Sequence, residues 1–133
     1  MTGLAAAFAH YGAAPKNPRW SWSARSADGK TVVMTLWKDR FNYQSSPVEY
    51  NDFGDTHLSK WMNRAGNNER IENLKWARDH CGGLFRVVIA IAKDTTVDPR
   101  SIAESYPAPN LLMRLTEMDE RTGEFRAVRV DAA

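Results

Sequence analysis

Two segments near the start of the chain, in which polar and apolar residues alternate, predict a β-hairpin. Residues 19–25 and 30–39 flank the dipeptide Asp28-Gly29. An Asp-Gly pair between alternating segments favours a tight hairpin turn, because glycine readily adopts the positive φ that such turns require. The alternation places Trp20, Trp22 and Ala24 on one face of the first strand. The other face carries Arg19, Ser21, Ser23 and Arg25.

Two further strand patterns follow in the second half of the chain. Residues 84–92 are nearly all apolar, with one interruption at Arg86, which is typical of a strand buried on both faces. Residues 111–117 and 124–130 flank a turn-rich segment at 119–123 and predict a final hairpin.

Hydrophobic spacing of three and four residues predicts helices elsewhere. Residues 3–11 form a short helix that Gly12 ends, and Thr56 caps a second one with Leu58, Trp61 and Met62 on one face.

A longer helix is predicted from Asn67 or Asn68, as the N-cap, to Gly82-Gly83. Its apolar stripe consists of Ile71, Leu74, Ala77 and Cys81. Trp76 is predicted to lie off this stripe, beside exposed charges.

The remaining segments are interpreted as connections. Residues 48–56 form a polar and aromatic loop, the kind of segment in which binding residues are common. Residues 94–110 contain three prolines and predict a long connection with one helical turn at residues 100–105.

These elements predict one domain, residues 1–133, of the α+β class. Its sheet is expected to be mainly antiparallel and strongly twisted, with about five strands and two or three helices. This sheet either stays open or closes into a small pseudo-barrel, which would remove its exposed edges.

Composition and charge limit the functional classes. The chain has 133 residues, 43% hydrophobic and 26% charged, as in globular proteins. Its net charge of +2 says little about a polyanionic partner, but twelve of its 18 basic residues are arginine, which suits phosphate and base recognition. A genome rich in G and C would produce the same excess.

The single cysteine and the apolar start of the chain favour particular cellular compartments. Cys81 allows no internal disulfide, which favours a reducing cytoplasm. Residues 4–9 are too short to span a bilayer and lack the charged start of a signal peptide, so we expect no membrane association.

The tryptophan-rich hairpin is the first candidate binding element. It carries three of the five tryptophans, which either fill the core or form a stacking platform for a planar base. Ser21 and Ser23 would supply hydrogen bonds, and Arg19 and Arg25 would contact phosphates. Both interpretations of the tryptophans remain open from sequence.

The basic helical segment is the second candidate. Arg64, Arg70 and Arg78, with Trp76, fit contacts to a nucleic-acid backbone. A solvated helix face, with Glu69, Glu72 and Asp79 pairing the cations, explains the same pattern.

Two catalytic hypotheses are weaker. Cys81 follows His80 at a helix C-terminus, where the helix dipole disfavours a thiolate, so a structural thiol is expected. Glu49, Asp52, Asp55 and His57 crowd one loop but match no metal-binding spacing. We therefore assign no catalytic residue, metal or cofactor.

The tryptophan strand, the aromatic loop, the basic helix and the predicted sheet together resemble the PUA-like superfamily, which includes EVE, ASCH and YTH domains. This resemblance implies a small α+β pseudo-barrel that binds RNA or modified DNA bases, often with one base in an aromatic pocket. It implies a stacking role for one of several tryptophans, namely Trp20, Trp22, Trp37 or Trp61. It also implies that Ser21 or Asp39 reads a base edge.

The leading hypothesis is a cytoplasmic bacterial module that binds DNA or RNA. It would recognise a base by aromatic stacking, with Trp37 the preferred ring, and contact phosphates through arginines. One alternative is a structural or protein-interaction domain of a defence or toxin–antitoxin system, as a homodimer or with another protein. The other is a small metal-dependent hydrolase or nuclease that uses Asp52, Asp55 and His57.

Overall fold

The computed structural model describes residues 4–17, 21–56, 58–97 and 100–131. These ranges contain three α-helices and one seven-stranded mixed sheet, which confirms the α+β class. The helices are α1 (Leu4–Ala9), α2 (Leu58–Trp61) and α3 (Ala65–His80). The strands are β1 (Ser23–Arg25), β2 (Val32–Trp37), β3 (Phe41–Asn42), β4 (Glu49–Asn51), β5 (Leu84–Ala92), β6 (Ile102–Met118) and β7 (Phe125–Val130). The predicted roles of Arg19, Trp20 and His57 fall outside the described residues.

The strand order is β1-β2-β5-β6-β7-β4-β3. The pair β2–β5 is parallel and the other five pairs are antiparallel. The expectation of about five mainly antiparallel strands is therefore only approximately met. Two very short strands, β3 and β4, were not recognised because two or three residues carry no periodic pattern.

The sheet curls back on itself without closing. Strand β2 ends at Trp37 and β3 begins at Phe41, yet they hold the second and the last places in the strand order. Only the short 3₁₀ helix Lys38–Arg40 joins them, so the last strand must return to the carboxyl end of β2. No pairing joins β3 to β2 or β1 within the described residues, so the sheet is open and the pseudo-barrel alternative is wrong.

The first hairpin is confirmed, although its two faces differ from the prediction. Asp28 accepts hydrogen bonds from the Ser26 hydroxyl (2.6 Å) and the Lys30 amide (2.9 Å), and Gly29 has a φ of +71°. Strand β1 begins at Ser23, so Trp22 precedes the regular alternation. Ala24 packs in the cluster against α1, whereas Trp22 contacts Trp61, and the two do not share a face.

Strand β5 is buried on both faces, as predicted. Val87 and Ile89 belong to the main core beneath α3, and Val88 belongs to a second cluster beneath α1. Tyr11, which follows α1, fixes this second layer by donating its hydroxyl proton to the Val87 carbonyl at 2.9 Å.

The predicted connection at residues 94–110 is wrong in its second half. Residues 102–118 form one long strand, of which Ile102–Pro107 pairs with β5. The pairing jumps from Pro107 to Leu112, so the prolines lie at or beside an irregular stretch, where a missing N–H is tolerated. The predicted final hairpin, β6–β7, is confirmed.

Helix α3 confirms the predicted stripe but not the predicted cap. Ile71, Leu74 and Ala77 are buried, and Cys81 packs at the edge of the core. The helix begins at Ala65 after Arg64, so Asn67 lies in its first turn, fully buried. No helix in the described ranges has both the length and the apolar character that crossing a membrane requires.

Trp76 is not an exposed ring among charges. Its indole N–H donates to the Gly29 carbonyl at 2.8 Å, and its ring packs against the hairpin turn and beneath the Arg25 guanidinium, 4.4 Å from the ring centroid. The sequence pattern missed this contact because it joins two segments 47 positions apart.

Candidate functional site

Three aromatic rings surround a buried guanidinium. The Arg70 guanidinium carbon lies 5.4 Å from the Trp22 ring centroid, 5.2 Å from that of Trp61 and 5.1 Å from that of Phe125. Such distances allow cation–π attraction, which is strongest when the cation is desolvated. Two of the predicted cage tryptophans therefore do meet, but their cage encloses a cation of the chain itself.

Arg70 also connects helix α3 to the β6–β7 turn and the loop after β4. It donates to Asn67 Oδ1 and to the Gly123 carbonyl, both at 3.0 Å, and lies 3.4 Å from the Asp52 carboxylate. Asp52 accepts the Phe125 amide proton at 2.7 Å. Burial raises the pKa of Asp52, and the nearby positive charge of Arg70 opposes that rise.

A second carboxylate of the loop at residues 48–56 is likewise bound by groups of the chain itself. Asp55 accepts from Arg40 at 2.7 Å and from the Trp61 indole N–H at 3.0 Å. Within the described residues, no three histidine, cysteine, aspartate or glutamate side chains form a group that could hold a metal ion. The carboxylates of Asp52 and Asp55 thus each contact an arginine, and the hydrolase hypothesis gains no support from their geometry.

The other predicted phosphate contacts are dispersed. Arg25 donates to Asn73 Oδ1 at 2.9 Å beneath α3, and Asn73 in turn donates to the Ser23 hydroxyl. Arg78 is exposed and contacts Asp79 and Glu120. Arg64 is exposed and donates to the Lys60 carbonyl.

Ser21 is buried in the segment that precedes β1. Its hydroxyl accepts the Asn17 amide proton at 3.1 Å, so this serine closes a local loop.

A cleft of about 340 Å³ lies at the carboxyl ends of the parallel strands β2 and β5, close to the return of β3. In open sheets of α/β proteins, ligands commonly bind beyond the carboxyl ends of parallel strands. Its lining is largely apolar and consists of Lys38, Asp39, Tyr43, Ile91, Ala92 and Thr95.

Exposed hydrophobic residues lie in the segments that form this cleft or directly beside them in sequence. In the described part of the chain, three large hydrophobic side chains are exposed, namely Tyr43 (59%), Val97 (49%) and Ile102 (38%). Tyr43 lines the cleft, Ile102 pairs with the lining residue Ala92, and Val97 follows the lining residue Thr95 by two positions. Exposed apolar residues that cluster in this way are typical of binding surfaces.

Asp39 is held in place at the rim of this cleft. Arg100 donates to both of its carboxylate oxygens, at 2.7 and 2.9 Å, and the same guanidinium carbon lies 5.1 Å from the Trp37 ring centroid. Trp37 therefore supports Arg100, and Arg100 orients Asp39. The hydrogen bonds from Arg100 lower the pKa of Asp39, so its carboxylate stays ionised at neutral pH.

The structure thus unites two predicted site residues, Trp37 and Asp39, and adds Tyr43, Arg100 and Thr95. Sequence reasoning missed Thr95 and Arg100 because they lie more than 50 positions from Trp37 and Asp39. Tyr43 is only four positions after Asp39, but no local pattern shows that its ring borders a cleft. Two apolar strands end at Trp37 and Ala92. This pattern would have indicated the position of the cleft only if the parallel pairing of the two strands had been known.

Comparisons of the chain with protein-family models, curated proteins and solved structures found no match.

Replacing Arg100 with alanine is expected to raise the pKa of Asp39 toward its ordinary value of about 3.9, because the two charge-assisted hydrogen bonds disappear. In the parent protein the pKa of Asp39 is lower in the folded state than in the unfolded state. Its ionised carboxylate therefore stabilises the native state at pH values above the ordinary pKa. That contribution is lost as the pH falls through the lowered value. Carboxyl-carbon NMR shifts followed from about pH 2 to 7 measure the change.

Asp94 is the matched control for this titration. Its pKa is also lowered, but by hydrogen bonds from Thr96, so it should titrate identically in both proteins. An unchanged Asp39 titration in the Arg100 variant would show that the pair does not hold in solution.

Proposed function

We propose that this protein binds single-stranded nucleic acid by stacking one base against Tyr43 in the cleft between β2, β5 and β3. The observation that carries the proposal is the combination of an apolar cleft, an exposed aromatic ring and an oriented carboxylate at its rim. Stacking on an exposed ring is a general means of binding bases.

The position of the Tyr43 ring supports this role. It stacks on Phe41 with a centroid separation of 5.8 Å and an interplanar angle of 26°. Phe41 is buried in the core, so one face of Tyr43 has a rigid support. Its hydroxyl donates to the Lys38 carbonyl at 3.4 Å, which further restricts the ring. A pre-positioned ring loses little conformational freedom when a base stacks on it.

Cations near the cleft fit the phosphate part of the ligand. Lys38 lines the cleft and is exposed, and Lys93, also exposed, follows directly after β5. They take the place of the arginines expected from sequence, two of which, Arg25 and Arg70, contact groups inside the fold. The resemblance to PUA-like domains agrees with a base-binding role but is carried by the aromatic strand alone.

Replacing Tyr43 with alanine is expected to weaken oligonucleotide binding by about 5- to 150-fold, since stacking of one base contributes about 1–3 kcal/mol. Fluorescence anisotropy of a labelled eight-nucleotide strand of mixed sequence measures the change. Tyr43→Phe keeps the ring and should bind within about twofold of the parent protein. Binding should also weaken as salt increases, because phosphate contacts release counterions.

A matched pair of lysine variants tests whether the nucleic acid binds at the cleft. Lys38→Ala should lower the affinity, whereas Lys30→Ala, at the exposed hairpin turn, should not. Absence of oligonucleotide binding, or equal binding by the tyrosine and alanine proteins, would contradict the proposal.

The exposed residues Tyr43, Val97 and Ile102 also favour the second hypothesis, a protein-interaction surface. If the partner is a second copy of this chain, sedimentation velocity distinguishes this hypothesis from nucleic-acid binding. Concentration-dependent dimerisation that Val97→Asp abolishes, without any nucleic-acid binding, would support a protein interface in place of the base site.

A further inference from the structure

We propose that one face of the strands β5, β6 and β7 docks an acidic amphipathic helix of a partner protein. This surface, which we call the outer face, lies on the side of the sheet opposite α3 and beside the area that α1 covers. It includes no residue of the cleft, so the inference goes beyond the proposed function. Its six positions are Leu84, Arg86, Leu112, Arg114, Val128 and Val130.

The strand register brings these six side chains together. Successive side chains of a strand point to opposite faces of the sheet. Phe85, Met113 and Ala127 point into the core beneath α3, so their neighbours in each strand point to the outer face. The six positions form two rows across the three strands. One row is Arg86, Leu112 and Val130, and the other is Leu84, Arg114 and Val128.

The apolar residues of the outer face belong to no core. The two leucines and two valines are partly exposed and pack in neither of the two hydrophobic clusters. A sheet face that only meets solvent usually carries polar residues. The next positions along β6 and β7, Thr116 and Arg126, are exposed and polar, as expected for such a face. The apolar rows beside them are instead typical of a surface that another molecule covers.

The two arginines determine the charge of that molecule. Neither Arg86 nor Arg114 forms an ion pair with a carboxylate in the described part of the chain, whereas Arg126 contacts Glu49 at 2.9 Å. Arg86 bonds only to a carbonyl oxygen, that of Pro109, at 3.3 Å. A second copy of the chain would place the same cations against each other, which is unfavourable. Carboxylates of a different protein would complement them.

The residue types favour a protein helix over nucleic acid. Bases that bind to a sheet usually stack on aromatic rings, and the six positions contain none. Aliphatic side chains on a sheet commonly pack against the apolar stripe of a helix, as they do beneath α3. The outer strands of a group of three lie about 10 Å apart, which is the width of one helix. The docked helix would therefore extend the layer that α1 begins.

Backbone amide NMR signals of the full-length protein test the proposal during titration with two synthetic peptides. Each peptide has about 14 residues, which is four turns of helix, with a leucine stripe. One peptide carries glutamates beside the stripe and the other carries lysines. The glutamate peptide should shift the amides of the outer face to saturation and bind at least about tenfold more tightly than the lysine peptide. Absence of these shifts would refute the proposal.

A charge exchange is the decisive variant. The double variant Arg86→Glu and Arg114→Glu should lose the glutamate peptide and bind the lysine peptide instead. The matched control is Arg64→Glu with Arg121→Glu, which changes the net charge equally at two exposed arginines outside the outer face. It should keep the preference for glutamate. A folded charge-exchange variant that still prefers the glutamate peptide would contradict the role of the two arginines.

Leu112→Ala tests the apolar part of the surface without changing any charge. It should weaken binding of the glutamate peptide by about 5- to 30-fold, because part of a leucine side chain no longer packs against the peptide. Circular dichroism checks that this variant and the charge-exchange variant fold. Unchanged affinity in the folded alanine variant would mean that the peptide does not pack on the outer face.

Three other occupants of the outer face would each overturn the proposal. Shifts of its amides by oligothymidine but not by the glutamate peptide would assign it to nucleic acid. Shifts that depend on protein concentration alone would assign it to a second copy of the chain. Binding to phosphatidylserine vesicles that the charge exchange abolishes, without peptide binding, would assign it to a lipid surface. None of these results bears on the base site, which Tyr43→Ala tests separately.

Discussion

Replacement of Arg70 with methionine is expected to lower the free energy of unfolding by about 3–5 kcal/mol, the range for breaking one partner of a buried ion pair. Methionine keeps an unbranched, largely apolar stem but removes the guanidinium group and its charge. The Asp52 carboxylate, whose side chain is 2% exposed, would then lose the guanidinium that lies 3.4 Å away. Urea denaturation followed by circular dichroism measures the loss at neutral pH.

The hydrogen bonds and aromatic rings around Arg70 are a second reason for the expected decrease in the free energy of unfolding. Its guanidinium bonds to Asn67 and to the Gly123 carbonyl, and it lies among Trp22, Trp61 and Phe125. These contacts attach helix α3 to three other segments of the chain. Loss of the guanidinium therefore leaves buried acceptors without their donor, which adds to the cost.

The pH dependence of this variant follows from Asp52. Its pKa is already raised by burial, and loss of the positive charge of Arg70 would raise it further. A carboxyl whose pKa is higher in the folded state stabilises the fold at low pH, and this contribution is lost as the pH rises through that pKa. The destabilisation of Arg70→Met should therefore be smaller at acidic pH than at neutral pH.

Two variants serve as controls for Arg70. Arg64→Met, at the exposed position directly before the same helix, should change the stability by no more than about 0.5 kcal/mol. Combining Arg70→Met with Asp52→Asn removes both charges and keeps an oxygen for the Phe125 amide, so the double variant should lose less than the sum of the two single variants. Additive losses would show that the ion pair does not couple the two residues.

Replacement of Gly123 with alanine is expected to destabilise the protein by about 2–5 kcal/mol, from a backbone cost and a steric cost. Gly123 has a φ of +85°, where a β-carbon is disfavoured. That β-carbon would also overlap the side-chain amide of Asn67. Thermal or urea unfolding measures the combined effect.

Asn67 cannot readily move aside. Its amide nitrogen donates to the Met62 and Thr122 carbonyls, both at 2.8 Å, and its oxygen accepts from Arg70. The side chain is fully buried, so displacing it would break hydrogen bonds that no water replaces. The turn between β6 and β7 thus depends on glycine for space as well as for its backbone conformation.

Gly82 is the matched control for Gly123. It has a φ of +65° but open space where a β-carbon would lie, so Gly82→Ala should show only the backbone cost of about 1–2 kcal/mol. The difference between the two variants isolates the contact with Asn67. Equal losses would mean that Asn67 relaxes at no cost.

Much of the framework was predictable from local pattern. The Asp28-Gly29 turn, the apolar run of β5 and the stripe of α3 each depend on residues close together in the chain, and the structure confirms all three. The candidate site was predicted only in part. Trp37 was predicted from its place at a strand end and Asp39 from the resemblance to PUA-like domains, but no local signal pointed to Arg100 or Tyr43.

The failures share one cause. Ile102–Pro107 has three prolines nearby and an irregular pattern, but the edge of β5 offers backbone hydrogen bonds that make it a strand. Trp76 lies off the apolar stripe of its helix, but the hairpin turn covers its ring. In both cases a segment far away in the chain supplied the hydrogen bonds or the packing that the local sequence lacks. Tertiary contacts therefore overrode local preference.

The sequence by itself determined the α+β class, the first and last hairpins, the doubly buried strand and the core face of the long helix. These features follow from residue periodicity, which needs no distant partner. Only the tertiary structure decided which rings meet Arg70, how the sheet curls without closing, and where the cleft lies. Each of those depends on contacts between segments far apart in the chain, and their pairing is set by the folded backbone.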